Sequence, residues 1–204
     1  MNVRRPLSAV LLAGVAGGLL AGCGIRATEV PTDFGPAPSR AHCSLTAPDV
    51  TTQASRGMPV QVFLLCGSSL VTVDRTVRVA EGATGTERRV LVAQGLLDEL
   101  AKSPSRAETE AGYKTEVRGG TTVAGPRPGD PEDTLRLSTA PSALAASALA
   151  QIVCTFSDSA AAEGDGSVIL GGPDEAEPRR YECTDEVRAH PASTEPPSTG
   201  VSNG

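Results

Sequence analysis

Aromatic side chains are scarce in this chain of 204 residues, with no tryptophan, two tyrosines and three phenylalanines. Sugar-binding proteins and solute receptors use rings as platforms, because rings bring large area and a π-face. Having only Phe34, Phe63, Tyr113, Phe156 and Tyr181 weighs against both classes. Histidine is rarer still. His42 and His190 both fall in expected tails, and no Cys-x-x-Cys spacing occurs, so no metal site is expected. The Gly-x-Ser-x-Gly, His-Glu-x-x-His, phosphate-loop and Ser-x-x-Lys patterns are missing. With no nucleophile, base or cradle in sight, the chain reads as a non-enzyme without a cofactor. Lysine occurs only at 102 and 114, amid abundant alanine, glycine and proline. That is the composition of a high-GC genome, as in actinobacteria.

The first residues carry an address. Arg4 and Arg5 precede an apolar stretch from Pro6 to Gly22, which ends in small residues. This is the order of a secretory signal. The stretch is interrupted by glycines and is short for a span, which needs about 20 apolar residues. Leu20-Ala21-Gly22-Cys23 resembles the lipobox of bacterial lipoproteins. The resemblance implies cleavage between Gly22 and Cys23, a diacylglycerol on the Cys23 thiol and acylation of the new amine. Acyl chains anchor by about 0.8 kcal/mol per buried CH₂. The expected location is the extracytoplasmic face of the cell membrane, with residues 1–22 as signal peptide. Removing them takes away two arginines and no acid, leaving sixteen basic residues against 24 acidic ones. An acidic chain argues against a nucleic-acid partner and against electrostatic adhesion to anionic headgroups. The membrane contact is expected through lipid alone.

With Cys23 assigned to lipid, Cys43, Cys66, Cys154 and Cys183 remain. An even number in a secreted chain predicts disulfides, and four cysteines allow three pairings. The favoured pairing is Cys43 with Cys66 and Cys154 with Cys183. The second bond closes a loop of moderate length, for an estimated 2–4 kcal/mol.

Residues 23–59 hold Pro31, Pro36, Pro38, Pro48 and Pro59 without apolar periodicity. They read as the lipidated cysteine and a flexible tether, which Cys43 pins to the domain. Val60 to Cys66 is a buried strand, Gly67-Ser68-Ser69 a turn, and Val71 to Val79 an alternating strand, together a hairpin. Thr84-x-x-Glu87 matches a capping box for a helix over 87–102. Its stripe is Val90, Ala93, Leu96, Leu97, Leu100 and Ala101, and Gly95 marks close packing. Residues 105–133 read as a polar loop, with a short strand near Thr121 to Ala124. Glu108 and Glu110 are taken there as solvated charges. Thr134 to Ser138 alternates like a strand. A helix begins near Pro141 and presents Leu144, Ala145, Ala148, Leu149, Ile152, Val153 and Phe156 on one face. Ser167 to Leu170 and Arg180 to Thr184 are further strands. The acids Asp165, Asp174, Glu175 and Glu177 lack the alternating spacing of a calcium loop. Residues 189–204 read as a disordered tail. Residues 60–188 are therefore one small α+β domain, a mixed or antiparallel sheet packed by two helices.

Leu96-Leu97-Asp98-Glu99-Leu100, with Pro104, Glu108, Gly112 and Thr115 after it, resembles the leucine-rich helix and following motif of the GerMN domain. Leu135-Arg136-Leu137-Ser138, leading into Ala150-Gln151-Ile152-Val153 and Thr155, is similar to that family's strand and Ala/Gln-rich helix. The resemblance spans 60–188. It implies a fold like the ring-building motif, no catalytic residues, and protein interaction or envelope assembly with a partner in the envelope. A small-ligand or solute-binding lipoprotein is the alternative, although 60–188 is short for a two-lobed receptor.

Overall fold

The computed structural model describes Cys43 and residues 57–201. Strands β1 (Met58–Cys66) and β2 (Ser69–Val77) form an antiparallel hairpin in which Cys66 faces Ser69. The two-residue turn needs left-handed backbone at its first position. Gly67 takes φ 63° there, at no steric cost. Helix α1 (Gly85–Ala101) follows, then the short α2 (Arg106–Glu110), β3 (Tyr113–Lys114), β4 (Val123–Ala124) and β5 (Leu135–Leu137). A 3₁₀ turn at Pro141–Ala143 leads to α3 (Ala146–Ser157). Then come β6 (Ser167–Gly171), β7 (Arg179–Glu182), α4 (Asp185–Ala189) and β8 (Ser198–Gly200). The class is α+β as expected. The strands are divided between a three-stranded antiparallel sheet, order β2-β1-β3, and a mixed five-stranded sheet, order β4-β5-β6-β7-β8. The pairing of β5 with β6 is parallel, and α3 makes the crossover between them. Among the described residues no helix is long and apolar enough to cross a membrane.

One core serves both sheets. Val62, Leu64, Val73 and Val77 of the hairpin meet Ala93, Leu96, Leu97 and Leu100 of α1. The same cluster continues through Leu149, Ile152, Val153 and Phe156 of α3 to Leu135, Leu137, Val168 and Leu170. Gly95 does mark close packing: a Cβ there would stand 2.2 Å from Cγ1 of Val77. Helix α3 is buried nearly all round, as a helix between two sheets must be.

The sequence reading needs several corrections. The capping box at Thr84 and Glu87 does not form. Gly85 takes φ 52° directly after Thr84, and the Thr84 side chain makes no cap hydrogen bond. The box forms instead at α2, inside the stretch read as loop. The Glu108 amide donates to Ser105 Oγ, and Glu108 Oε2 accepts from the Ser105 amide at 2.7 Å. The second long helix starts at Ala146, because Pro141 closes a separate 3₁₀ turn with Leu144 and Ala145 between. The tail read as disordered over 189–204 completes α4 at Ala189 and supplies β8 as the edge of the larger sheet. Its composition hides this, since almost nothing apolar holds it. Pro191 and Pro196 are buried, the Glu182 amide donates to the Pro197 carbonyl, and Arg179 grips Ser198 through Oγ and the carbonyl at 3.0 Å.

Candidate functional site

Gly22 and Cys23, the expected cleavage and lipid positions, lie outside the described residues. The other four cysteines form the expected pairs, Cys43–Cys66 and Cys154–Cys183. Cys154 comes from the buried face of α3 and Cys183 follows β7, so this bond staples the central helix to the larger sheet. Cys66 ends β1. Cys43 sits beside it, its amide donating to the Ala111 carbonyl and its carbonyl accepting from Tyr113 Oη at 2.9 Å. Burial pushes the Tyr113 hydroxyl above its usual pKa, and the carboxylate of Glu108 adds to this.

The most concentrated polar chemistry surrounds Arg136. It lies between Leu135 and Leu137 on β5, so strand alternation turns it away from the apolar core. Its guanidinium grips Asp130 in a two-point pair, each N–O distance 2.7 Å, with both side chains 6% exposed. Its remaining donors reach the carbonyls of Gly172, Asp174 and Ala176. Hydrogen bonding to Arg136 holds the Asp130 carboxyl below its usual range, against the opposing effect of burial. Arg127 binds the Pro173 and Asp174 carbonyls from the neighbouring loop. An open cleft of about 1060 Å³ lies alongside, lined by Pro128, Pro131, Glu175, Glu177 and Val201 among others. Both guanidinium groups on its wall are directed to internal acceptors. Chemically the arrangement ties the 127–131 turn to the 172–177 loop.

A second arginine knot sits on the smaller sheet. Arg75 of β2 pairs with Glu108 at 2.7 Å and approaches Glu99 at 3.8 Å. Burial raises the Glu108 pKa, but the Ser105 amide and Arg75 outweigh it and hold the carboxyl below the usual value. Glu108 is thus buried, in contrast to the solvated charge expected from its polar neighbourhood. Glu110 does pair at the surface, with Arg106. The Cys66 sulfur is bonded to Cys43, and exposed His190 lies near Glu186. Asp174 Oδ1 accepts from the Ala176 amide, and Asp165 binds the amide and hydroxyl of Ser167. Among the described residues no group of three or more His, Cys, Asp or Glu is placed to hold a metal.

The sequence reading missed the roles of Gln94, Gln151 and Thr155. Phe63 faces Thr72 in the hairpin, and its amide and carbonyl point toward α3. Thr155 Oγ1 accepts from the Phe63 amide at 3.0 Å, and Gln151 Nε2 donates to its carbonyl at 2.9 Å. The Gln151 oxygen also accepts from the Glu116 amide. Gln94 of α1 accepts from the Val123 amide on β4. A polar residue inside an apolar helical stripe was the available signal, because such a group is rarely buried without a partner.

No family model, curated protein or solved structure matches the chain.

Proposed function

We propose that this chain is a lipoprotein anchored through Cys23 on the outer face of the cell membrane. Its domain, which resembles GerMN, acts there as a non-enzymatic module for protein interaction or envelope assembly. The observation that carries the reading is the pair of intradomain disulfides behind a lipobox-like start. Disulfides persist in oxidising compartments, and Leu20-Ala21-Gly22-Cys23 is the pattern that would leave the chain lipidated there. The GerMN resemblance rests on residue pattern alone, and two of its positions, Gln151 and Thr155, bridge α3 to β1.

The open cleft beside Arg136 is the observation that favours the alternative, a small-ligand-binding lipoprotein. It is the weaker reading, because Arg127 and Arg136 are occupied by internal acceptors. The test is metabolic labelling with a fatty acid, followed by crosslinking of intact cells. The native chain should carry label that Cys23→Ser abolishes, and should crosslink to the same envelope protein in repeated preparations. Absence of label overturns the anchor. A labelled chain with no recurrent partner, but with a specific melting shift from one small molecule, favours the alternative.

A further inference from the structure

The Cys43–Cys66 bond has a mechanical consequence for anchoring. Cys43 is docked at the turn end of the hairpin. Its Cα is 5.8 Å from that of Cys66, its amide donates to Ala111, and its carbonyl is held by Tyr113. Tyr113 is itself the strand partner of Cys66. The described chain resumes at Gly57 and enters β1 at Met58, the other end of that strand from Cys66. Nine strand residues at about 3.3 Å each separate the two entry points by roughly 27 Å.

We infer that the Cys43–Cys66 disulfide is an anchor clamp, moving the point at which the membrane leash grips the domain from Met58 to the turn end of the smaller sheet. This rests on the reading of Cys23 as the lipidated residue. Cys23 lies twenty positions before Cys43 and thirty-five before Met58. At about 3.5 Å per extended residue, the clamped leash reaches at most ~70 Å and the unclamped one ~120 Å. With the bond intact, tension from Cys23 passes into the domain at Cys43, before residues 44–56 are reached along the chain. Thiol–disulfide exchange would lengthen the leash: an external thiolate attacks one sulfur, the other leaves as a thiolate, and a second thiol of the reductant releases the first as its own disulfide forms. The natural reductant class is a dithiol protein facing the same compartment.

The two lysines give a built-in probe. Lys114 pairs with Leu65, next to the clamp, and Lys102 follows α1. The full lipidated chain, carrying a donor dye on these amines, is reconstituted in phosphatidylcholine vesicles containing an acceptor-labelled lipid. Ten Gly/Ser residues are inserted either within 24–42 or within 44–56, with all cysteines retained. The clamp predicts that the first insertion lowers energy transfer and the second leaves it unchanged. In the Cys43→Ser/Cys66→Ser background both insertions should lower it. Equal effects of the two insertions with the disulfide intact overturn the clamp while leaving the anchor standing. A chain that washes off the vesicles overturns the anchor itself, and the clamp with it. Because the first comparison keeps the native bonds, misfolding of the serine variant does not decide the outcome.

Discussion

In the five-stranded sheet, backbone pairing runs without a gap from β4 to β8, and buried Arg136 lies on it among loop carbonyls and Asp130. In the three-stranded sheet, β1 has β2 along its whole length on one side, but on the other only the two β3 residues opposite Leu65 and Cys66. There α3 takes the place of a strand, and Gln151 and Thr155 supply the missing donor and acceptor to Phe63. The larger sheet thus uses a buried charge to fix its loops. The smaller one uses neutral side chains to finish a ladder, and keeps its Arg75–Glu108 pair closer to the rim. The lesson concerns cost. A buried backbone group or ion is costly only when it lacks a partner, and a chain poor in aromatics meets that need with specific polar bridges.

Five substitutions or conditions bear on this contrast. Arg136→Met should have the largest effect. It leaves the buried Asp130 carboxylate without its ion-pair partner and frees the Gly172 and Ala176 carbonyls, for a loss of about 3–5 kcal/mol in urea-unfolding stability. A loss under about 1 kcal/mol would mean the knot is ornamental to the larger sheet. Gln151→Leu should come next, at about 1–3 kcal/mol, since it orphans the Phe63 carbonyl and the Glu116 amide. Its signature is local. Hydrogen exchange should quicken at Glu116 and along β1 while β6 and β7 stay protected, whereas uniform loss of protection would show that α3 serves both sheets alike.

Acid should act on both knots. Asp130 and Glu108 have folded pKa values depressed below those of the unfolded chain. Their stabilisation is therefore fully present above the ordinary carboxylate range of about 4 and is lost as pH falls below it through the folded values. Unfolding midpoints measured between neutral pH and acid should drop across that window, and the drop should shrink in Arg136→Met. An unchanged drop in that variant would assign the acid sensitivity elsewhere. Arg75→Met should be the smallest, about 1 kcal/mol, because Arg75 is 20% exposed and Ser105 still holds Glu108. Added salt should weaken the Arg75 pair and leave the Arg136 pair intact. Equal salt sensitivity would erase the distinction between rim and interior.

Much of this fold can be read from residue pattern. The alternation of Val71, Val73 and Val77, the Gly67 turn and the leucines of α1 each express a period set by backbone geometry. The even count of cysteines made two disulfides legible, and of the three pairings it allows, the favoured one is the one formed. What stayed hidden depends on distant partners. Nothing near Glu108 in sequence announces Arg75, and nothing near Arg136 announces the carbonyls of 172–176. Strand β8 was missed for the same reason, since backbone pairing to β7 leaves no mark on a run of Ser, Thr, Gly and Pro. The capping box was sought at the right kind of motif in the wrong place. Thr84-x-x-Glu87 and Ser105-x-x-Glu108 look alike as strings, and only the backbone at Gly85 separates them.

The central claim is an oxidised domain held outside the membrane by lipid on Cys23. The direct measurement is intact and peptide mass spectrometry of the native protein from its own membranes, without reduction. The account predicts a chain that begins at diacylated Cys23, with Cys43 linked to Cys66 and Cys154 linked to Cys183. An unmodified Cys23, or free thiols at the other four positions, would contradict it.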